Sequence, residues 1–147
     1  MRALGIDYGD SRVGVSVSDA LGITAQGLET IHHGGNDKVV LKRLEEIINE
    51  YGVDTIAIGM PINMNGTKTE RAEVTEKFIN KLKCKFGSKI KIERIDERLT
   101  TVEAHKTMNF LNVNKYKKRD IVDTISAVYI LETYLRKNNN WKEIYNE

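Results

Sequence analysis

The chain has 147 residues with 23 Lys or Arg against 21 Asp or Glu, a net charge of +2. This length suits one domain, and 40% hydrophobic with 30% charged residues excludes a disordered or fibrous chain. The N-terminus holds no signal-peptide apolar core, and no window approaches the ~18 apolar residues of a membrane helix. Cys84 is the only cysteine, which excludes an intrachain disulfide and a cysteine-built metal site. We therefore expect a cytoplasmic protein.

Alternating apolar residues predict a β-hairpin, with strands at 2–8 and 12–18 and a third strand at about 23–31. Helices and strands then alternate along the chain. The predicted segments are a helix at 37–51, a strand at 53–60, a helix at 67–86, a strand at 89–95, a short helix at 101–110 and a last helix at 120–137. A capping box of Thr67 and Glu70 is expected to begin the second helix.

This order of elements predicts an α/β fold with a mixed five-stranded sheet. A three-strand meander is followed by alternating helices and strands, which places helices on both faces of the sheet. Residues 1–137 are expected to form the domain and residues 138–147 a loosely held C-terminal tail.

Positive charge is concentrated in one stretch of the chain. Residues 81–119 contain twelve Lys or Arg and four Asp or Glu, a local balance of +8. The other 108 residues hold eleven against seventeen, a balance of −6. A solvated lysine-rich helix would have this composition, and so would a surface that binds a polyanion. The charge distribution leaves both interpretations open.

Acidic residues stand at the ends of two predicted strands. Asp7 ends the first strand between Gly5 and Gly9, two glycines that would let a ligand or metal approach the backbone. Asp7 could equally cap the turn. Asp96 and Glu97 end the fifth strand, and only one of them can join Asp7, because neighbours on a strand point to opposite faces.

Asp120 and Asp123 open the last predicted helix. Asp120 is expected as its N-cap, and both carboxylates could simply complement the helix dipole. Asp123 also starts near the packed face, where a carboxylate needs a partner. Three carboxylates from two strand ends and a helix would suit Mg²⁺ or Mn²⁺, because a two-ion site bridges the attacking and leaving oxygens of a phosphodiester.

Two loops are candidates for contact with phosphate. Residues 59–67 lead into a helix N-terminus, so the amides of Asn65, Gly66 and Thr67 could hold a phosphate, although a capped turn without a ligand explains them as well. The segment 114–120 is predicted to be a basic loop that contacts a nucleic-acid backbone and carries one stacking ring. Its candidate residues are Lys115, Tyr116, Lys117, Lys118 and Arg119. His32, His33 and His105 show no metal-ligand spacing and are predicted to lie at the surface.

Four segments resemble the successive signatures of one family. They are GIDYGDSRVGVSVSD (5–19), GMPINMNGT (59–67), DERLTTVEA (96–104) and VDTISAVYIL (122–131). In order and spacing they are similar to the pre-16S rRNA nuclease family, the YqgF-like branch of the Holliday junction resolvase-like proteins. The resemblance runs from about residue 3 to residue 135. Ser16 and Ser126 stand where that family often has Ala.

The resemblance implies a ribonuclease H-like fold and a divalent-metal nuclease that matures the 5′ end of 16S ribosomal RNA. It assigns the catalytic and metal-holding roles to Asp7, Glu97 and Asp123, which favours Glu97 over Asp96. Arg12, Arg98 and the basic segment would then position the phosphodiester backbone.

Two other functions stay open on the sequence. One is resolution of Holliday junctions in branched DNA, and the other is RNA binding in ribosome assembly without catalysis. A nucleotide-binding module related to actin-like ATPases is disfavoured because those proteins have two domains. The chain is expected to be a monomer or a homodimer, and a junction enzyme would act as a dimer because it cuts two strands symmetrically.

Overall fold

A computed structural model of the chain describes residues 2–63, 65–67, 69–96 and 115–138, with the backbone alone for 115–118. The strands in these ranges are β1 (Ala3–Tyr8), β2 (Arg12–Ser18), β3 (Ala25–His32), β4 (Thr55–Met60) and β5 (Lys91–Asp96). The α-helices in the same ranges are α1 (Asp37–Tyr51), α2 (Glu70–Phe86) and α3 (Lys115–Lys137). The predicted short helix at 101–110 lies outside the described residues.

The five strands form one mixed sheet in the order β3-β2-β1-β4-β5. β1 pairs antiparallel with β2, and β2 pairs antiparallel with β3, as the meander predicts. β4 pairs parallel with both β1 and β5. The predicted mixed five-stranded α/β sheet is confirmed. β1 lies at its centre, so the C-terminal end of β1 adjoins both halves of the sheet.

One face of the sheet carries large apolar side chains and is covered by α1 and α2. Alternation along the strands directs every second residue to this face, and the residues there are almost all β-branched or Leu. The strand residues of this core include Leu4, Ile6, Val13, Val15, Val17, Ile56 and Ile58. The helices contribute buried residues at helical spacing, among them Val40, Leu44, Ile47, Phe78, Ile79 and Leu82. This face is the main hydrophobic core.

The opposite face carries small residues and is covered by α3. Ala3 and Ala57 pack there against the C-terminal half of the helix, which buries Ile130, Leu131, Tyr134 and Leu135. The two faces confirm the prediction of helices on both sides of the sheet.

Two predicted helix starts are wrong. α2 begins at Glu70 with Thr69 as its N-cap, where the Thr69 hydroxyl accepts a hydrogen bond from the Ala72 amide, so the Thr67 capping box does not form. α3 begins at Lys115, so the segment predicted as a basic loop is helical backbone from residue 115 onward. Lys and Arg are strong helix formers, and they extend the helix although the segment has no apolar periodicity.

Candidate active site

Asp7 lies near the end of β1, on the sheet face that α3 covers. It is half-buried and pairs across the antiparallel ladder with Gly14 of β2. Gly14 pairs on its other side with Thr30 of β3. Because Gly14 carries no side chain, the surface next to Asp7 is open to close approach by a packing helix.

Glycines allow α3 to lie directly on the sheet. A Cβ on Gly14 would be 2.0 Å from the backbone oxygen of Asp123, and a Cβ on Gly5 would be 2.4 Å from that of Ala127. Ser16, between them on this face, donates its hydroxyl to the Ala127 carbonyl at 2.7 Å. The sequence prediction assigned the room above Gly5 to a ligand or metal, but helix backbone takes that space. These contacts place Asp123 over the ladder pair that contains Asp7.

Arg12 connects the acidic residues. Its Nε donates to Asp123 Oδ2 at 2.7 Å, and the two side chains are 31% and 19% exposed. The hydrogen bond to Asp123 raises the pKa of the Arg12 guanidinium above its usual range despite partial burial, and the charges of Asp120 and Asp7 add to the effect. One cation thus balances carboxylates that would otherwise repel one another.

Asp120 belongs to the same acidic group, and the sequence prediction gave it another role. Since α3 begins at Lys115, Asp120 lies inside the helix and is not its N-cap. Its Oδ2 is 3.1 Å from His32 Nε2, and its backbone oxygen accepts a hydrogen bond from the Thr30 hydroxyl at 2.9 Å. The spacing of three between Asp120 and Asp123 could have revealed that the two carboxylates belong to one group, because residues three apart share a helix face.

A buried histidine supports the turn that follows Asp7. His33 is 6% exposed, so its predicted surface location is wrong, whereas His32 is exposed as predicted. His33 Nδ1 accepts a hydrogen bond from the Gly35 amide at 3.0 Å, so Nε2 carries the proton that is donated to the Gly9 carbonyl at 3.0 Å. These two hydrogen bonds select the Nε2–H tautomer of His33, which holds the turn in place. His105 lies outside the described residues.

Tyr8 and Arg71 hold the same turn from the α1 and α2 side. The Tyr8 hydroxyl donates to Asp37 at 2.6 Å, and its ring stacks on His33 with centroids 5.9 Å apart. Arg71 forms an ion pair with Asp10 and donates to the Tyr8 carbonyl at 3.1 Å. The backbone after Asp7 is therefore tied to both helices of the main core.

Asp96 lies on the face opposite Asp7. It pairs with Met60, which belongs to the α1–α2 core, and the neighbouring Arg94 forms an ion pair with Glu76 of α2. Glu97 and Arg98 lie outside the described residues. Within the described ranges no group of three His, Cys, Asp or Glu is arranged to hold a metal ion. Of the three predicted acids, the described residues include Asp7 and Asp123.

The amides of the predicted phosphate loop donate within the loop. The Gly66 amide donates to the Asn63 carbonyl at 2.8 Å, and the Thr67 amide donates to Asn65 Oδ1 at 3.1 Å. A phosphate at these amides would have to displace both bonds. Arg119 is exposed, and the side chains of Lys115, Tyr116, Lys117 and Lys118 lie outside the described residues.

The chain matches the model of the family described as RuvX, Holliday junction resolvase, over residues 1–137. The chain belongs to this family. It is 58% identical over 135 residues to a Ruminiclostridium cellulolyticum protein, covering 92% of this chain and 94% of that one. It is 51% identical over 135 residues to an Acetivibrio thermocellus protein, covering 92% and 95%. Both are named "Putative pre-16S rRNA nuclease". Membership of the RuvX family confirms the predicted class, a hydrolase that acts on nucleic acid.

Solved structures of junction resolvases share the fold of this RuvX-family chain. Thermus thermophilus RuvC in complex with a Holliday junction substrate superposes with a TM-score of 0.56 at 13% identity, covering 95% of this chain and 97% of that one. The Fowlpox virus resolvase in complex with Holliday junction DNA gives 0.57 at 15% identity, covering 94% and 99%. The predicted ribonuclease H-like fold is confirmed. Among the described helices, none is long and apolar enough to cross a membrane.

Proposed function

We propose that this chain is a cytoplasmic, divalent-metal-dependent endonuclease that processes the 5′ end of pre-16S ribosomal RNA. The observation that carries the proposal is the packing of α3 on Gly14, which brings Asp123 over the ladder pair of Asp7. Arg12 pairs there with Asp123, and the charge of Asp7 also acts on this arginine. The relatives named as pre-16S rRNA nucleases support the choice of substrate.

Asp7, Asp123 and Glu97 are the proposed ligands of Mg²⁺ or Mn²⁺. Carboxylate oxygens are the ligands that Mg²⁺ prefers. Asp7 and Asp123 are both half-buried, and Arg12 already balances their charge, so the donor set fits. Asp96 lies on the opposite face of the sheet, which supports its neighbour Glu97 as the third acid. When bound, the metal supplies Lewis-acid stabilisation of the phosphate and an acidified water.

Arg12 and the basic residues of α3 act on the nucleic-acid backbone in this proposal. Arg12 presents its guanidinium beside Asp123, where it stabilises negative charge on the phosphate. Arg98 and the residues Lys115, Tyr116, Lys117, Lys118 and Arg119 are proposed to bind the flanking backbone. The backbone of 115–119 is helical, so this part of the proposed binding surface is a helix and not a loop.

Neutralising one acid at a time tests the catalytic assignment. Asp7→Asn, Glu97→Gln and Asp123→Asn should each lower cleavage of a precursor rRNA by orders of magnitude while RNA binding persists, because the acids act together on the transition state. Added Mg²⁺ or Mn²⁺ should raise the Tm of the wild type and not that of the variants. Asp96→Asn is the matched control and should keep most activity. If all three acidic variants cleaved RNA at the wild-type rate, the chain would be better explained as an RNA-binding assembly factor without catalysis.

The family description favours one second candidate, resolution of Holliday junctions. A competition assay between branched DNA and precursor rRNA at equal concentration separates the two substrates. Light scattering with and without substrate gives a second criterion, since a resolvase acts as a dimer and an RNA-processing nuclease can act as a monomer.

A further inference from the structure

A cavity of about 380 Å³ opens beside the Arg12–Asp123 ion pair. Its walls come from the turn after β1, the start of β2, the end of β3 with the loop that follows it, and the early turns of α3. The lining residues are Ser11, Arg12, His32, Gly34, Arg119 and Asp120. Small-molecule sites have volumes of roughly 300–1,000 Å³, so this cavity has room for one nucleotide.

Two arginines give the cavity its positive charge. Arg12 uses Nε for Asp123, and its two Nη groups make no hydrogen bond to a residue that the structure describes. Arg119 is exposed and forms no ion pair within the described ranges. A guanidinium with unused N–H groups is a strong donor to phosphate oxygens. The cavity therefore presents phosphate donors from two separate elements.

His32 and Asp120 form another wall of the cavity. His32 Nε2 lies 3.1 Å from Asp120 Oδ2, and the His32 side chain is 60% exposed. Asp120 carries the one carboxylate among the lining residues, and this carboxylate would repel a phosphate. The contact with His32 occupies one of its two oxygens. The exposed imidazole is a flat surface of the kind on which a ribose or a base packs.

We propose that this cavity is the subsite for the nucleotide next to the scissile phosphodiester. Arg12 and Arg119 hold the phosphate of that nucleotide, and His32 contacts its ribose and base. Arg12 contacts Asp123 on one side and lines the cavity on the other. The nucleotide in the cavity is therefore the one next to the phosphodiester that lies at Asp123. The inference rests on the proposed nuclease function and adds a path for the substrate strand, from Asp7 and Asp123 toward the β3 edge of the sheet.

Binding of uridine 3′,5′-bisphosphate to the full chain without divalent metal tests the subsite by isothermal titration calorimetry. Arg119→Ala should raise the Kd about tenfold, the loss expected for one charged hydrogen-bonding partner. His32→Ala should raise the Kd of the bisphosphate and leave that of inorganic phosphate unchanged. Lys137→Ala removes an exposed cation from the other end of the same helix and should bind like the wild type.

If Lys137→Ala and Arg119→Ala weakened binding of the bisphosphate equally, the effect would come from the overall charge of the protein, and the subsite would be overturned. Unchanged bisphosphate binding in Arg119→Ala and His32→Ala would overturn it as well, and so would inorganic phosphate binding as tightly as the bisphosphate. Asp7→Asn separates this test from that of the proposed function. If Asp7→Asn cuts RNA like the wild type while Arg119→Ala still loses the bisphosphate, the nuclease assignment fails and the nucleotide site stands.

Discussion

The two faces of the sheet use the same strands for different purposes. The face under α1 and α2 is filled by β-branched and aromatic side chains, such as Val13, Val15 and Phe78, and buries them almost completely. The face under α3 has Gly5, Gly14 and Ser16 at the corresponding positions, so the helix backbone comes within contact of the strands. Side-chain burial provides most of the stability on the first face. On the second face, apolar volume is reduced so that an acidic residue can reach the end of β1.

The largest effect is expected when Gly14 gains a side chain. Gly14→Ala would bring a methyl group against the Asp123 backbone, so α3 must shift. We expect unfolding to become easier by about 1–3 kcal/mol. Cleavage per folded molecule should fall on the order of a hundredfold, because a displacement of about 1 Å in a catalytic group has that effect. Chemical denaturation and single-turnover cleavage measure the two quantities.

Val13→Ala, one residue away, is the matched control for Gly14→Ala. Val13 is fully buried on the other face, so its truncation should cost about 1.5–3 kcal/mol of stability. Cleavage per folded molecule should remain near that of the wild type. Normal cleavage by Gly14→Ala, or an equal loss in Val13→Ala, would contradict the division of roles between the faces.

An intermediate effect is expected at Asp37, on the core side of the turn that follows Asp7. Burial raises the pKa of Asp37, but hydrogen bonds from Lys81 and Tyr8 outweigh burial and hold that pKa below its usual value of 3.8. A lowered folded-state pKa contributes stability that is present above about pH 5 and is lost as the pH falls through that pKa. Asp37→Asn should therefore destabilise the protein by about 1 kcal/mol at neutral pH, and the difference should shrink below about pH 4.

Glu45→Gln provides the comparison for Asp37. Glu45 also lies on α1 and pairs with a lysine of α2, Lys85, but at 3.5 Å and with half of its side chain exposed. Its removal should change stability by less than about 0.5 kcal/mol at any pH. Urea denaturation of both variants at several pH values makes the comparison. A pH-independent loss in Asp37→Asn would disprove the role of its charge.

The smallest effect, with the opposite sign, is expected at the α3 face. Ser126 Oγ is buried and has no hydrogen-bond partner among the described residues. Ser126→Ala should raise the free energy of unfolding by up to about 1 kcal/mol, since a buried hydroxyl without a partner is destabilising. Ser16→Ala, which removes the hydrogen bond to Ala127, should lower the free energy of unfolding by about the same amount. A loss of stability in Ser126→Ala, measured by thermal denaturation, would contradict this account.

Local sequence patterns predicted the strands, the mixed five-stranded sheet and the acids at the ends of the elements. Alternation over residues 2–18 was sufficient for the hairpin, because side-chain direction in a strand follows from its period of two. The same period of two in the fifth strand was sufficient to show that Asp96 and Glu97 cannot both join Asp7. The structure places Asp96 on the far face, and the role of Glu97 stays a prediction.

Features that depend on distant contacts were not predicted from the sequence. His32 and His33 are neighbours with the same side chain, yet one is exposed and the other is buried, because Gly9 and Gly35 provide hydrogen-bond partners only in the folded chain. The glycines of the second face indicated a close approach, and the sequence could not say that the approaching group is a helix and not a ligand. The subsite beside Arg12 also depends on distant contacts, since β2, β3 and α3 each contribute to its lining.

The contact between Ser16 and Ala127 has a consequence for the timing of synthesis. The two residues are separated by 111 positions, and so are Arg12 and Asp123. During translation the β1–β2 hairpin leaves the ribosome long before α3 is made, so its glycine face is exposed to water and Asp7 has no Asp123 beside it. The acidic group is assembled only after the C-terminal helix has emerged. A nascent chain of this protein therefore lacks the pairing of Arg12 with Asp123 until α3 has emerged from the ribosome.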